Sequence, residues 1–489
     1  MSRRDASALL ALAAIAGGAC AHVSPGRAIA RDTPASAATP WTPTDEARAE
    51  QKPTPPPGIP EKYRREKTIL SLAEVIDIAL RNNPATRASW ARSRAAAAVV
   101  GEKRAEYFPE ITLGANLTRQ KTTALGGQVT FLQTTYGPTA ALSWLLLDFG
   151  ERAGNVREAR EALYEADWTH NATIQNVVLQ VTIAYYGYLN AKELLLAQEA
   201  TVKESRENYN AAQARHDAGV ATIADVLQAK TALSQDELAL ETVRGQIETI
   251  RGQLATALGV PANIPVDIGT LPENVDVEGL TASIDGLIDE AQKERPDLGA
   301  ARAEAERARA HVGTVRSELL PTLGVVGNAG RVYYPAQGRP YATNYSGALQ
   351  LSIPVFSGFR RVYDLREAEE QAKASRADAQ TLEQQVSLQV WTSYFSVRTS
   401  AQKVKTARDL LESARQAAEV TAGRYRSGVG SILDLLTAQR NLAQARAQDV
   451  QSRSDWYQSL AQLAHDTGVL GPLPPGTTEL PLQKKETTP

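Results

Sequence analysis

The 489-residue chain carries 53 Lys and Arg against 55 Asp and Glu, a formal net charge of −2 and a pI near 6.3, so no global basic field favours a nucleic-acid partner. Aromatic residues make up only 6%, with a single Met, an inventory that argues against a large globular core of bulky side chains and for extended helices. The five histidines, His22, His170, His216, His311 and His465, have no paired-ligand spacing, and no zinc-protease, phosphate-loop or nucleophile-elbow pattern occurs, so the sequence predicts no enzyme, no metal site and no cofactor.

In chain order, residues 1–21 read as a secretory signal peptide: Arg3 and Arg4, an apolar run from Ala8 to Ala16, then small residues up to Cys20. The run is too short to span a bilayer in the mature protein. Cys20 is the only cysteine, which excludes an intrachain disulfide. Two readings of it stand side by side. Either cleavage leaves Cys20 at the new N-terminus as a lipid anchor, although Gly17 sits where a Leu is usual, or cleavage is of the A-x-A kind around Ala19-Cys20-Ala21. Residues 22–67, which include PTPPPGIP, form a Pro-rich linker. Beyond it no window reaches 18 continuous apolar residues, so any membrane insertion must use something other than hydrophobic helices.

Residues 71–107 predict two helices broken at Pro84, because a proline disfavours a helical residue before it. A β-hairpin follows at about 111–147. Ile111, Leu113, Ala115 and Leu117 alternate with Thr112, Gly114, Asn116 and Thr118, and Ala140, Leu142, Trp144 and Leu146 share one face of the second strand. From Glu151 to His216 there is no proline, enough for a helix of roughly 100 Å. Ile174, Val177, Val178, Val181, Ala184, Tyr185 and Tyr188 mark its apolar stripe. A turn at about 216–222 leads into a return helix over 222–258.

The same order then recurs. A second hairpin at about 322–356 alternates Tyr345, Gly347, Leu349, Leu351, Ile353 and Val355 with Ser346, Ala348, Gln350 and Ser352. A proline-free stretch from Phe359 to Ser427, a turn at about 425–431 and a return helix over 431–466 complete the second unit. RHDAGVATIADVL at 215–227 and RYRSGVGSILDLL at 424–436 are identical at six of thirteen positions, with an offset of 209. Asn83-Pro84 matches Arg295-Pro296 and Phe108-Pro109 matches Leu320-Pro321 at 212, while Phe149-Gly150 finds Ser357-Gly358 at 208. The drop of four assigns the length difference to one internal loop. The chain is thus one unit written twice, 68–270 and 271–468, with a C-terminal tail at 469–489. Four strands cannot close a membrane barrel alone, since single-chain barrels start at about eight. If these strands meet lipid, copies must join to remove the open edges.

With the duplication, the Pro-then-strand junctions, FG at 149–150, SGFRR at 357–361 and two G-V-x-x-I-x-D tips in view, the chain resembles the TolC family of outer-membrane efflux ducts from Leu70 to Gly468. The resemblance implies a mainly α fold with a β-barrel: a homotrimer in which four strands per chain close a 12-stranded outer-membrane barrel above a long α-helical periplasmic barrel. Residues 259–283 and the tail would belt that tube. The implied function is a passive conduit from periplasm to exterior, seated in outer-membrane lipid and working with a periplasmic adaptor and an inner-membrane transporter. A lipidated Cys20 would place it nearer the lipoprotein branch serving resistance–nodulation–division pumps. Polar strand residues Thr112, Asn116, Ser346, Gln350 and Ser352 would line the lumen. The same duct serving type I protein secretion, and a non-channel periplasmic coiled-coil scaffold, are the alternative readings.

At the tips, Gly219 and Gly428 supply the backbone freedom that a tight helix-to-helix turn needs. The resemblance adds adaptor docking on Ala218, Gly219, Val220, Ser427, Gly428 and Val429. Asp225 and Asp434 suit the first turn of a return helix through the helix dipole. In a trimer they would also form a ring of 2 × 3 = 6 carboxylates that attracts cations, and the resemblance assigns them to a periplasmic gate with Tyr425. The family's gating arginine falls at Gly430 and a second constricting aspartate at Thr437, so a gate built differently is expected.

Overall fold

A computed structural model describes Gly58 and residues 69–124, 129–272, 283–335 and 341–472. The expected signal peptide with Cys20, the linker apart from Gly58, Ile69-adjacent residues up to 68, residues 273–282 of the expected belt and the tail beyond 472 lie outside the described residues.

Each half opens with two helices separated by one residue. Ser71 caps α1 (Leu72–Asn82): its hydroxyl accepts from the Glu74 amide at 3.4 Å and Glu74 Oε2 accepts from the Ser71 amide at 2.9 Å. Asn83 ends that helix and starts α2 (Pro84–Ala105), its side chain accepting from the Ala85 amide at 2.8 Å while Pro84 takes the first helical position. After a hairpin come α3 (Glu151–Asp217) and α4 (Ile223–Ala257). The second half repeats this as α5 (Ile284–Glu294), α6 (Pro296–Ser317), a hairpin, α7 (Arg360–Arg426) and α8 (Ile432–Asp466). Helix lengths are 11, 22, 67 and 35 residues in both halves.

The duplication therefore extends to every helix, and only the β regions differ. They differ in more than one loop. Strands β1 (Glu110–Ala124) and β2 (Val129–Leu147) have 15 and 19 residues, whereas β3 (Thr322–Tyr333) and β4 (Tyr341–Ser352) have 12 each. The second half recovers part of the loss in a longer junction, 353–359, before its long helix. Pro354 explains why β4 stops at Ser352 and why Ile353 and Val355 fall outside the strand: it has no N–H for the ladder. The first junction is shorter and tied by a buried ion pair. Arg152 Nε donates to Asp148 Oδ2 at 2.8 Å, and its Nη1 donates to the Leu145 carbonyl at 2.6 Å.

The four strands form one antiparallel sheet in the order β1-β2-β3-β4. Its register places Leu113 opposite Ala140, Ala140 opposite Ala329, and Ala329 opposite Tyr345; Trp144, Val325 and Leu349 form a parallel row. One face is accordingly apolar across all four strands, with Ile111 68% and Leu113 80% exposed in the single chain. Thr112, Asn116, Ser346, Gln350 and Ser352 fall on the other face, as period-two alternation requires.

The long helices pack by narrow seams. On α7 the buried positions Val386, Val390, Ser393, Val397, Ser400, Val404 and Ala407 follow one another at steps of four and three, the spacing of a left-handed coiled coil. The expected stripe on α3 is buried at Val177, Val178, Val181 and Tyr188, with Ile174, Ala184 and Tyr185 packed beside it. Toward the tips the helices lie in the order α4-α3-α8-α7, and toward the sheet α2 and α6 flank α3, with α6 also on α7. The main core joins Leu72, Val75, Ile76 and Ile78 of α1 to Leu254 and Leu258 near the end of α4 and to Trp456, Leu460 and Leu463 of α8. Residues 260–272 close over it: Leu70 donates to the Asp267 carbonyl at 3.2 Å, and Arg453, paired with Asp449, donates to the Pro272 carbonyl at 3.1 Å. Gly259 (φ 71°) and its repeat Gly468 (φ 81°) bring the ends of α4 and α8 against the Asn82–Asn83 and Glu294–Arg295 backbones.

Candidate gate and docking tips

The two hairpin turns are built alike. In the first, Gly219 takes φ 74° and donates to the His216 carbonyl at 2.8 Å, and Val220 donates to the Arg215 carbonyl at 2.9 Å. In the second, Gly428 (φ 79°) donates to Tyr425 at 3.1 Å and Val429 to Arg424 at 3.0 Å. Both are Schellman closures, in which a left-handed glycine lets the turn satisfy the last helix carbonyls. The closure turns the next side chain outward: Val220 is 64% and Val429 68% exposed. Ala218, Gly219, Ser427 and Gly428 are exposed beside them, so all six expected docking residues lie on the outer rim of the turns.

The return helices start at once. Thr222 caps α4, accepting from the Asp225 amide at 3.3 Å, and Asp225 Oδ2 accepts from the Thr222 amide at 3.0 Å. Ser431 caps α8 by accepting from the Asp434 amide at 3.1 Å. Both aspartates occupy the first turn, where the dipole favours an anion. Asp225 is half-buried and tied into its capping box, whereas Asp434 is exposed. The duplicated carboxylates are thus not equivalent within one chain.

Tyr425 is buried, 4% exposed, in a small cluster with Ala212 of α3, Ala229 of α4 and Ile432, Leu435 and Leu436 of α8. Burial pushes its phenol above the usual range and the Asp225 carboxylate adds to that, with Arg215 opposing. The hydroxyl makes no hydrogen bond among the described residues, to either aspartate or to anything else. Its neighbour is Arg215, whose guanidinium carbon lies 4.9 Å from the ring centroid and whose Nη1 donates to the Tyr425 carbonyl at 2.8 Å. Arg215 is one of the six positions identical between the tips, yet nothing in the repeat itself distinguishes it from Arg424, which is exposed. At Gly430 an added Cβ would lie 3.1 Å from the Tyr425 amide nitrogen and 3.2 Å from the Arg424 carbonyl carbon, so the loop sits tight on the last helical turn.

Farther from the tips the hairpins are joined by side chains of α3 and α8. Arg446 donates to both carboxylate oxygens of Glu204, at 2.8 and 3.2 Å, and Asn190 donates to Gln451 at 3.1 Å. Among the described residues no helix is long and apolar enough to cross a membrane, and no group of three His, Cys, Asp or Glu side chains is placed to hold a metal ion.

Comparison with known proteins matches this architecture. The chain is 30% identical over 388 residues to Protein CyaE of Bordetella pertussis, covering 78% of this chain and 80% of that one. It is 26% identical over 382 residues to the toluene efflux pump outer membrane protein TtgC of Pseudomonas putida, covering 77% and 78%. Among solved structures, the outer-membrane channel OprN matches with a TM-score of 0.73 at 21% identity, over 81% of this chain and 89% of that one. The family model described as "Outer membrane efflux protein" matches residues 75–260 and 287–469, one segment in each half of the duplication. The chain belongs to the outer membrane efflux protein family.

Proposed function

We propose that three copies of this chain form the outer-membrane duct of a tripartite efflux system, passing solutes passively from periplasm to exterior. One observation carries the assembly. The single chain ends in open edges at every level: β1 and β4 in the sheet, α2 and α7 below it, α4 and α7 toward the tips. A sheet with unpaired edges and an apolar outer face is stable in lipid only when closed, and three copies give a 12-stranded barrel of the kind that spans outer membranes. The polar face of Thr112, Asn116, Ser346 and Gln350 then lines water, and Leu388, Trp391 and Phe395, exposed on α7, are covered by a neighbouring copy.

In this reading Asp225, Asp434 and Tyr425 form the periplasmic gate. Val220 and Val429 with the small residues around them receive a periplasmic adaptor that couples the duct to an inner-membrane transporter, and Cys20 anchors the chain to lipid. The TtgC name supports small-molecule efflux. The test is twofold: cross-linking in native membranes must give a trimer with an adaptor attached, and deletion must sensitise cells to small apolar toxins. Loss of an exported protein with no change in toxin sensitivity would instead assign the duct to type I secretion, and failure to fractionate with the outer membrane would leave only a periplasmic scaffold.

A further inference from the structure

We propose that Arg119, Lys121 and Arg331 form an outward-facing collar at the hairpin-loop end of the sheet, and that this collar binds the headgroup phosphates of lipid in the outer leaflet. The proposal rests on the channel reading above and names a ligand for the outside of the barrel. The four strands carry four charged residues: Glu110 at the helix-side end of β1, then Arg119, Lys121 and Arg331. Glu110 shares the polar face of Thr112. The three cations alternate in step with Leu117 and Ala329, so they lie on the apolar face, and all three are exposed. No Asp or Glu occurs from Ile111 to Leu147 or from Thr322 to Phe356, so no carboxylate of either hairpin neutralises them.

A water-filled lumen is the easier place for a cation, so three cations on the other face call for an anion outside the barrel. The strands give their height. Arg119 and Arg331 each stand nine residues from the helix-side end of their strand, at Glu110 and Thr322. At about 3.3 Å per residue and a tilt of about 40° that is roughly 23 Å, the upper limit of an apolar band about 25 Å tall. Tyr136, Tyr333 and Tyr341 form one row with Leu117 across the sheet at this level, and aromatic side chains mark the boundary between membrane and water. The Tyr136 and Tyr333 rings stack with centroids 5.2 Å apart, and the Arg331 guanidinium carbon lies 4.7 Å from the Tyr341 centroid. The ring thus steadies a planar fork that suits a phosphate. Closing the barrel sets β4 of one copy beside β1 of the next, leaving only β4 between Arg331 and the next copy's Arg119 and Lys121. A headgroup with two phosphates can then be held across the boundary between copies.

The full chain is purified as a trimer in neutral detergent and its conductance is checked in planar bilayers. Native mass spectrometry then counts bound lipid as diphosphorylated lipid A, the same lipid stripped of its phosphates, or phosphatidylcholine is titrated in. Each cation near an anionic surface is worth about fivefold in affinity, so the wild type should bind the diphosphorylated lipid about tenfold or more tighter than the other two. On the same basis, replacing Arg119, Lys121 and Arg331 together by Gln should weaken that binding about a hundredfold, and each single replacement about fivefold. Gln120→Arg adds a cation at nearly the same height on the lumen face and should leave lipid binding unchanged. Equal wild-type affinity for the three lipids, or unchanged affinity in the triple variant, overturns the collar. Displacement of the lipid by millimolar inorganic phosphate also overturns it, by making the site one for free anions. Should the triple variant fail to assemble, the single variants decide. A wild type that gives no trimer or no conductance overturns the channel reading itself, whereas a conducting trimer without preference for phosphate overturns the collar alone.

Discussion

The sheet register makes a sharp test of which face meets lipid. Ser346 and Gly347 are adjacent near the middle of β4, on opposite faces. An added Cβ at Gly347 meets nothing within 4 Å, so a side chain starts there without a clash inside the chain. If the apolar face meets lipid, Gly347→Arg places a guanidinium near the bilayer midplane, which costs about 2–4 kcal/mol per chain in an outer-membrane barrel. At about 1.4 kcal/mol per tenfold, the folded population relative to unfolded falls by roughly thirtyfold to a thousandfold. Ser346→Arg projects into water and should cost less than about 1 kcal/mol while shifting ion selectivity toward anions. Gly347→Leu should be neutral or stabilising. Urea unfolding in lipid vesicles, followed by tryptophan fluorescence and by heat-modified mobility on gels, reads all three variants. Equal costs for the two arginines, or a larger cost at position 346, would refute the assignment of faces.

Arg453→Ala removes one partner of a buried pair and frees the Pro272 carbonyl; a loss of about 3–5 kcal/mol is expected, and Asp449→Leu in the same chain should recover part of it in thermal unfolding. Gly428→Ala should cost about 1–2 kcal/mol for its left-handed backbone, but Gly259→Ala and Gly468→Ala should cost more, because their Cβ atoms would also lie 2.9 and 2.8 Å from backbone of the opposing turn; chemical denaturation ranks the three. Burial alone would raise the Asp297 carboxyl, but hydrogen bonds and charge from Arg295 outweigh it and hold the group below the usual carboxylate range. The stability it contributes is therefore present above the unfolded value of about 3.9 and is lost as pH falls through the lower folded value. Asp297→Asn should flatten that acid limb of the urea midpoint against pH, and the wild type should approach it once Asp297 is protonated in both the folded and the unfolded state.

What the sequence made legible was local. Pro84 and Pro296 announce their helix breaks because a ring without an N–H acts on its own neighbours. The strand faces follow from a period of two, and the tips from glycines that only a left-handed turn requires. What stayed hidden depends on residues far apart in the chain. The order α4-α3-α8-α7 is invisible to periodicity, because each stripe states that it is buried but not against which helix. The repeat V-x-x-x-V-x-x-S-x-x-x-V on α7 uses small residues, which lowers its contrast with the exposed Ala around it. Gly259 and Gly468 are readable only as a repeated L-G-V and T-G-V; the turn that each presses against, at Asn82–Asn83 and Glu294–Arg295, lies far upstream of it in sequence, and nothing local points to it.

The tip residues matter most where the two copies part company. Both halves keep the arginine, the glycine-valine turn and the aspartate, but position 216 is His where 425 is Tyr. Since α3 packs on α8, the end of α3 faces the second hairpin, while the end of α7 lies at the outer side of the α4-α3-α8-α7 array. The same arginine therefore reaches a neighbouring helix end from the first tip and is exposed on the second. Tyr425 fills the inward position with a ring large enough to be buried and polar enough to be left unsatisfied there. His216 instead bonds its own turn, with Nδ1 3.1 Å from the Ala221 carbonyl oxygen. Duplication supplies two turns of like backbone, and His216 against Tyr425 is one of the differences by which only the second puts a buried ring where the hairpins meet.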